Sequence, residues 1–568
     1  MNVRYLLWCS LLLTTCMPPA PKADMVLYNA TIFSADPQYP DATAVAVVGG
    51  RILSVGSDVQ VLRWAGPQTE KRDLHGAFLM PGLIEGHGHF AAMGKGLEQL
   101  NLLQAPNWPA IVAMVAERAQ TTPAGAWIYG RGWHQDKWDA PPRPAVDAYP
   151  CHDALSAAVP DIPVVLAHAS GHALLANARA MALAGVTAST PDPPGGRIVR
   201  NPNGAPVGVF EENAMALIEK PLADWENGRS EAEKRADFER IAARAAQHCL
   251  QHGITSFQDA GSTFEELAYY RDLAEAGKLP VRLWAMMLQP GQADTGRMGA
   301  YPVIDAGQGF FTCRAVKAYL DGALGSYGAW LLEPYADKPD LVGQVVTPVD
   351  TLALLAEQCR RRGLQFCVHA IGDRANRELL NLYERVLGDA GAGYGQGCPR
   401  WRVEHAQHVH PHDQGRFAAL GVIASVQAVH CTSDAPFVPT RLGSERASQN
   451  AYAWRAFLDQ GARIANGTDV PVEAINPMAN LYAAVTRRSP TAGVFPGGTL
   501  TREEALLAYT LWNAWAAFEE THKGSITPGK MADFTVLSEN LLLCDAEKIL
   551  QTEVRATCVN GKWLFSAK

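Results

Sequence analysis

The 568-residue sequence lacks several patterns that would assign a function directly. No Cys-x-x-Cys occurs among its 11 cysteines, so neither a zinc knuckle nor a thioredoxin-like redox motif is present. Gly-x-Ser-x-Gly is missing too, which disfavours a serine hydrolase. The sequence also contains neither His-Glu-x-x-His nor the P-loop pattern. The cysteines are scattered, and this favours buried small hydrophobic side chains over a disulfide framework.

Charge is also sparse. Charged residues make up 19% of the sequence, and no run of charges reaches five residues. The 49 Lys and Arg residues against 57 Asp and Glu residues give a net charge of −8, so the basic footprint of a general nucleic-acid binder is absent. Apolar residues reach 48%, which excludes disorder, collagen and coiled coil as the main class. The length allows about three or four ordinary domains, or one large barrel with accessory parts.

The N-terminus differs from the rest of the chain. Arg4 precedes an apolar run over residues 5–13 that is too short to span a bilayer and is typical of a secretion signal. The following Leu-Thr-Thr-Cys, which ends at Cys16, resembles a bacterial lipobox, although Thr15 replaces the usual small residue. We therefore predict a signal or lipoprotein segment over residues 1–23. The predicted location is the periplasm or outer membrane of a bacterium, with a lipid anchor at Cys16; a plain signal peptide and an uncleaved start are the alternatives.

Both ends of the remaining chain have sequence patterns typical of short β-strands. Gly49-Gly50 separates two strand-like runs near the N-terminus, and Asn560-Gly561 is a strong hairpin cue near the C-terminus. We predict that residues 24–80 and residues 522–568 pair into one composite β-sandwich.

The middle of the chain alternates between helical and short apolar segments. Helices are predicted over 231–252, 351–362 and 374–387, and strand-like runs lie between them. This alternation indicates βα units and a parallel sheet. We predict an α/β fold with a (β/α)8 barrel over residues 81–521. The stretch from about 100 to 220 is rich in Pro, Gly and Trp, and it is predicted to form an inserted subdomain.

Several of the 16 histidines cluster, and the first cluster ends an apolar strand. Because alternate strand residues point to the same face, His87 and His89 can reach one ion, and zinc favours imidazole nitrogen. The same segment contains a weak dinucleotide fingerprint between Gly86 and Ala91. We discount it because no acidic residue follows about 20 residues on in a βαβ setting.

Polar residues close further strands, and the carboxyl ends of barrel strands open on one face. They are Lys317, His369, His405, Gln427 and Asp469. Any one of these residues, taken alone, is compatible with a purely structural role. Together, the order His-x-His, Lys, His, His, Asp predicts a metal site.

At these residues the chain resembles metal-dependent hydrolases of the amidohydrolase superfamily, in particular its YtcJ-like branch. The resemblance runs from Asp24 to the end of the chain. It is carried by residues 81–89, 130–133, 170–173, 194–197, 316–317 with 321–322, 369–373, 404–405, 467–471, 524–526 and 528–533. The set is specific for the family but not for a substrate.

The resemblance implies a barrel, a composite sandwich and one or two divalent metal ions, usually zinc. Carried over by position, the first metal is held by His87, His89 and Asp469, and the second by His369 and His405. Lys317 would bridge them as a carbamylated lysine, since the carbamate turns a repelling cation into an anionic oxygen ligand. The alternative is an unmodified Lys317 paired with Asp321, which favours a single metal.

The chemistry implied is hydrolysis of a carbon–nitrogen bond in a non-peptide amide of the N-formyl or N-acyl type, through a metal-activated water. Asp469 would act as general base and then as general acid. His405 and His172 complete the predicted catalytic set, and no cofactor besides the metal is expected. The alternatives are a deaminase or cyclic amidase of the same superfamily, and a non-catalytic surface-anchored binding protein on the same barrel.

The remaining predictions are secondary. The partner is a small-molecule substrate, with no nucleic acid, and a homodimer is expected. Weaker site candidates are His430 for binding substrate, Arg131 and Trp133 at the entrance or in a structural turn, and Gln427 and Asp434 as groups that orient ligands. His408, His410 and His412 are predicted on a solvated loop.

Overall fold

A computed structural model describes residues 22–567, apart from residues 124, 170, 171, 389–392 and 396. The predicted signal segment falls almost entirely, and Cys16 entirely, outside the described residues. Within the described part, no helix is both long enough and apolar enough to cross a bilayer. All nine described cysteines are free and eight of them are buried, which confirms their interpretation as small hydrophobic side chains.

Eight parallel strands form a nearly closed barrel, in which each strand pairs with the next one along the chain. This confirms the predicted fold class. A short antiparallel strand, Val303–Asp305, pairs with the fourth. The eight barrel strands are Leu83–Gly88, Ile254–Ser262, Arg282–Leu288, Phe311–Tyr319, Gln365–Ala370, Arg402–His405, Ile423–Val426 and Arg463–Asn466.

Helices accompany the strands and bury their apolar faces in the main core. The helix Glu231–Gln251 begins at a capping box, because Glu233 N donates to Ser230 Oγ and Ser230 N donates to Glu233 Oε2. The larger helices of this layer are Phe90–Glu98, Glu231–Gln251, Phe264–Glu275, Val349–Arg362, Asp373–Leu387 and Pro477–Thr486. Shorter ones are Pro411–Gln414, Arg416–Ala419, Ala428–Ser433, Val438–Leu442, Ser444–Asn450, Trp454–Asp459, Arg502–Ala508 and Leu511–Ala516.

A separate lobe is inserted between the first barrel helix and the helix Glu231–Gln251. It contains a six-stranded mixed sheet in the spatial order Gly196–Arg200, Pro206–Glu212, Ala173–Ala176, Val164–His168, Ile128–Trp133 and Leu100–Asn101. Its helices are Trp108–Ala119, Asp153–Ala158, Ala178–Leu183 and Ala216–Asn227. The lobe has its own hydrophobic clusters, so it packs as a unit beside the barrel.

The two ends of the chain build the predicted composite sandwich. One sheet has the order Arg51–Gly56, Ala44–Val48, Met25–Tyr28 and Glu70–Asp73; the other has Thr31–Ile32, Phe78–Pro81, Phe534–Leu537, Val554–Val559 and Lys562–Ser566. The N-terminal strand Phe78–Pro81 pairs antiparallel with the C-terminal strand Phe534–Leu537. Side chains of both sheets share one core, so neither end can bury its apolar face without the other.

The seam between the first and eighth barrel strands is closed by a side chain. No ladder pairs these strands in the described residues, and the buried Asn513 lies in the gap. Its Nδ2 donates to the carbonyl oxygens of Ile84 (2.7 Å) and Asn466 (2.8 Å), and its Oδ1 accepts the Asn466 N–H (3.0 Å). The amide therefore supplies the hydrogen bonds that a neighbouring strand would give.

His408 is a correction to the sequence prediction. The polar sequence around it predicts a solvated loop, but the His408 side chain is fully buried beside Tyr452, with 5.7 Å between the ring centres, while His412 is exposed. Burial lowers the pKa of His408 to about 3. The ring therefore stays neutral in the folded protein at pH values where it takes up a proton in the unfolded chain.

We expect Asn513→Asp to destabilise the barrel. The substitution keeps the shape but removes both donors, so two buried carbonyl oxygens lose their partners at about 1–3 kcal/mol each. Urea unfolding followed by circular dichroism measures the loss. Asn201→Asp is the matched control, because Asn201 Oδ1 accepts from Asn203 N and Ala205 N and an aspartate can do the same. An Asn513→Asp midpoint equal to that of wild type would contradict the seam.

We expect His408→Phe to weaken the acid sensitivity of folding. The pKa of His408 rises from about 3 in the folded state to its ordinary 6.5 on unfolding, so wild type loses stability as pH falls below 6.5. That loss is about 1.4 kcal/mol per pH unit until the pH approaches the folded value. The fall in Tm between pH 7 and pH 5 should be smaller in the variant. His412→Phe should fall as wild type does, and an equal fall in His408→Phe would refute the assignment.

Candidate metal centre

The carboxyl ends of the barrel strands open into one cavity of about 420 Å³. The strand-end residues predicted from the sequence lie around it: its lining includes His89, Lys317, His369, His405 and Asp469. The sixth predicted ligand, His87, is fully buried next to them, with its ring centre 4.9 Å from that of His405. The barrel thus brings together all six residues of the predicted constellation.

The backbone of each barrel strand sets the position of its ligand. His87 lies on the first strand, and His89 is the residue before the helix Phe90–Glu98. His369 lies on the fifth strand and His405 ends the sixth, with 4.5 Å between their ring centres. The imidazoles therefore converge from different strands.

Asp469 lies at the centre of the group. Its Oδ1 is 3.2 Å from His89 Nε2 and 3.5 Å from His87 Nε2. Its backbone has φ 61°, in the left-handed region that non-glycine residues seldom occupy. Two hydrogen bonds hold it there: Asp469 N donates to His87 O (2.8 Å), and the preceding Thr468 N donates to Glu85 Oε1 (2.5 Å). The first barrel strand therefore holds Asp469 in this strained conformation.

Gly467 makes this close approach feasible. A Cβ at this position would overlap both Glu85 Oε1 and the backbone nitrogen of His87. No larger residue fits between the first strand and the segment that carries Asp469.

The buried polar atoms of the group fit a divalent metal ion. His87 Nε2, His369 Nε2 and Asp469 Oδ1 have no hydrogen-bond partner in the described part of the chain. Ligand atoms of His87, His405 and Asp469 all lie within 4.8 Å of one another. Imidazole nitrogen and carboxylate oxygen are the donors that zinc and similar ions take. Buried groups of this kind need a partner, and a cation supplies it.

The geometry groups the predicted ligands differently from the two assigned metal positions. His87 and Asp469 belong to the first predicted position, but the third close residue, His405, was assigned to the second. His89 and His369 flank this trio. The division of the ligands between one and two ions stays a prediction.

Lys317 is buried and has no ion pair with a carboxylate in the described residues. Its Nζ lies 4.6 Å from the centre of the Tyr319 ring. The alternative pairing with Asp321 is not present: Asp321 instead accepts backbone N–H groups of Trp330 (2.8 Å), Ile371 (2.9 Å) and Gly372 (2.8 Å). Asp321 therefore holds the loop beside the cavity, and Lys317 is left without an acidic partner in the part of the chain that the structure describes.

The electrostatics favour neutral imidazoles and an ionised Asp469. Burial lowers the pKa of His87, burial and the Lys317 charge lower the pKa of His369 to about 3, and burial and His369 lower the pKa of His405. Burial by itself would raise the pKa of Asp469, but the close approach of His89 and the nearby imidazoles of His87 and His405 hold it well below its usual range. Neutral imidazole and ionised carboxylate are the forms of these side chains that bind metal ions.

Two further residues orient the imidazoles. The Gln427 Oε1 accepts from His405 Nδ1 (2.7 Å), in agreement with its predicted role. Glu404 was not among the predicted site residues, yet its Oε2 lies 2.5 Å from His87 Nδ1. Strand alternation places Glu404 and His405 on opposite faces, but φ 74° at His405 breaks the alternation, so both side chains reach the site.

Glu404 is ionised. Burial raises its pKa, but His87, Arg402 and Lys317 outweigh that effect and lower it to about 2. The carboxylate accepts the His87 Nδ1–H and leaves His87 Nε2 free for a ligand bond. This is how acidic partners orient metal-binding histidines.

Three other predicted residues lie elsewhere. His172 is exposed in the inserted lobe, with its Nδ1 3.1 Å from Glu212 Oε1, and it does not line the cavity. Its catalytic role stays a prediction. Trp133 is fully buried in the lobe and donates its Nε1–H to Leu166 O (2.8 Å), which is the structural alternative. Arg131 is exposed and does not line the cavity. His430 and Asp434, in contrast, both line it.

We expect Glu404→Gln to lower metal affinity by about 10–100-fold, because the amide is a weaker acceptor for His87 Nδ1–H and no longer balances the ion's charge. Competition with a chromogenic chelator measures the dissociation constant. Glu503→Gln, on the exposed face of Arg502–Ala508, is the control and should bind metal as wild type does. Unchanged affinity in Glu404→Gln would show that this carboxylate does not support the site.

Known proteins match the chain over almost its whole length. The Amidohydrolase family matches residues 70–565. Protein LONG AFTER FAR-RED 3 of Arabidopsis thaliana is 34% identical, over 97% of this chain and 94% of its own length. YtcJ of Bacillus subtilis (strain 168), named as a proposed amidohydrolase, is 31% identical over 92% and 96%. N-substituted formamide deformylase of Arthrobacter pascens is 26% identical over 95% and 97%.

A solved structure shares the fold over most of the chain. An uncharacterized metal-dependent hydrolase from Pyrococcus furiosus superposes with a TM-score of 0.72 and 26% identity, over 91% of this chain and 100% of that one. The family match, the relatives and the geometry agree with the resemblance drawn from the sequence. The chain belongs to the amidohydrolase family.

Proposed function

We propose that the protein is a metal-dependent hydrolase that cleaves a carbon–nitrogen bond in a small non-peptide amide of the N-formyl or N-acyl type. One observation carries this proposal: three buried, unpartnered ligand atoms, His87 Nε2, His369 Nε2 and Asp469 Oδ1, converge beside a cavity in a chain of the amidohydrolase family. The relative named as an N-substituted formamide deformylase supports the choice of bond.

The metal would be held by residues that the structure brings together. They are His87, His89, His369, His405 and Asp469, with a carbamylated Lys317 added if two ions bind. A bound divalent ion, which we propose to be zinc, supplies Lewis-acid chemistry, since it lowers the pKa of water and polarises a carbonyl oxygen.

Asp469 performs the proton transfers. Its carboxylate is ionised at neutral pH and faces the cavity, so it accepts the proton of the attacking water. It then gives that proton to the departing nitrogen, which leaves as an amine. Gln427 and Glu404 fix the rings of His405 and His87 during this cycle, because each accepts the Nδ1–H of its histidine.

The cavity sets the size of the substrate. A volume of about 420 Å³ suits a small molecule and is too small for a folded protein. Leu324, Ile371 and Phe437 contribute apolar surface that excludes water from the reacting centre.

A deaminase or a cyclic amidase would use the same residues on an amidine or a ring amide. A binding protein would hold the metal and turn nothing over. A panel of N-formyl amines, N-acyl amines, amidines and cyclic imides separates these hypotheses, because each enzyme gives a different product and a binding protein gives none.

We expect Asp469→Asn to lower kcat for the best amide by about 10²–10⁴-fold, since the amide cannot accept the proton. Amine release measures the rate, and metal content is measured in the same samples because Asp469 is also a candidate ligand. Glu503→Gln should keep the wild-type rate. Full activity of Asp469→Asn, or no turnover of any amide by metal-loaded wild type, would contradict the proposed function.

A further inference from the structure

Two carboxylates on the cavity wall have no cationic partner among the described residues. Asp434 Oδ2 accepts hydrogen bonds from Tyr452 OH (2.7 Å) and Gln407 Nε2 (2.9 Å), both of which are neutral donors. Glu473 lines the same cavity. In the described part of the chain, neither carboxylate forms an ion pair with a Lys, Arg or His nitrogen. Many other carboxylates of this protein pair with arginine, as Asp533 does with Arg282 at 2.7 Å.

The two charges act on each other. Burial raises the pKa of Asp434, and the neighbouring Glu473 charge raises it further, although His430 and the two neutral donors oppose this. Among the described residues no arginine lines the cavity, and the lysine that does, Lys317, belongs to the candidate metal centre. This wall is therefore negative, and a cation that approaches the half-buried pair of like charges stabilises it.

An unsatisfied polar group links this wall to the metal centre. His430 lines the cavity and is only 8% exposed, yet its Nε2 has no hydrogen-bond partner among the described residues. Its ring lies nearly parallel to that of His405, at 17° and 6.4 Å between centres. A buried imidazole nitrogen without a partner on the wall of a cavity indicates a polar group of a ligand.

Apart from Gln407, His430 and the metal centre, the rest of the wall is mainly apolar. Tyr319, Leu324, Ile371, Phe437 and Val472 line it. Aromatic and aliphatic surface of this kind contacts the body of a ligand but gives no charge selection. Of the described residues outside the metal centre, the two carboxylates therefore supply the charge of this wall.

Building on the proposed function, we propose that the substrate is an amide whose apolar or aromatic body ends in a positively charged group, and that Asp434 and Glu473 bind that group. Amides that carry a carboxylate, such as N-acylated amino acids, are rejected, because they meet two like charges and no arginine.

Binding of three matched amides tests the proposal without relying on turnover. N-[4-(aminomethyl)benzyl]acetamide is the cation, N-(4-ethylbenzyl)acetamide is its neutral isostere, and N-(4-carboxybenzyl)acetamide is the anion. Calorimetry on the metal-loaded protein at low salt should show the cation binding at least about 10-fold more tightly than the ethyl compound and the anion most weakly. The advantage should shrink as NaCl is raised.

The double variant Asp434→Asn/Glu473→Gln should bring the cation-to-neutral ratio close to 1. The amide oxygen introduced by Asp434→Asn can still accept from Tyr452 and Gln407, and Tm measured alongside confirms folding. Glu503→Gln should keep the wild-type ratio. The proposal is overturned if the ethyl compound binds as tightly as the cation, if the double variant keeps the wild-type ratio, or if neither compound binds.

Hydrolysis of the same compounds is scored separately. A charge preference in binding without release of amine contradicts the proposed function and leaves the charge selection standing. Release of amine with no preference for the cation contradicts the proposed charge selection and leaves the proposed function standing.

Discussion

The seam between the first and the eighth barrel strands is the constraint on which the rest of the structure depends. Asn513 joins their backbones near the middle, and the Asp469 N–H bond to His87 O joins them at the metal centre. His87 and Asp469 come from positions nearly 400 residues apart in the sequence, and this seam brings them together. The barrel therefore closes and the site forms through the same contacts.

Burial then determines the chemistry of the site. Desolvation keeps the imidazoles of His87, His369 and His405 neutral, and the ionised Glu404 and Asp469 offset the Lys317 and Arg402 charges. Such a set of buried charges and unpartnered nitrogens is costly in an empty protein, and a bound cation stabilises it. Stability and ligand binding are coupled here in the same residues.

Local patterns predict much of this molecule. Gly49-Gly50 and Asn560-Gly561 do connect paired strands, and the helix predicted over 231–252 begins at its capping box and ends at Gln251. The strand Arg282–Leu288 contains no β-branched residue, so its sequence gives only a weak strand signal. The strand-end histidines and Asp469 could be found because parallel strands all end on the same face.

Features that depend on distant contacts could not be predicted in this way. Glu404 and His405 both reach the site because the positive φ of His405 breaks the strand alternation, and Asn513 closes the seam from a helix that carries no recognisable motif. His408 looks like a loop residue in a polar segment, and only the packing around Tyr452 buries it. The charge of the cavity wall likewise arises from Asp434 and Glu473, which the fold brings together.

Anomalous diffraction at the zinc absorption edge, from crystals of the zinc-loaded protein, tests the central claim most directly. The account predicts a peak at about 2.0–2.1 Å from His87 Nε2 and a similar distance from the carboxylate of Asp469. Zinc-loaded crystals with no peak among His87, His405 and Asp469 would contradict it.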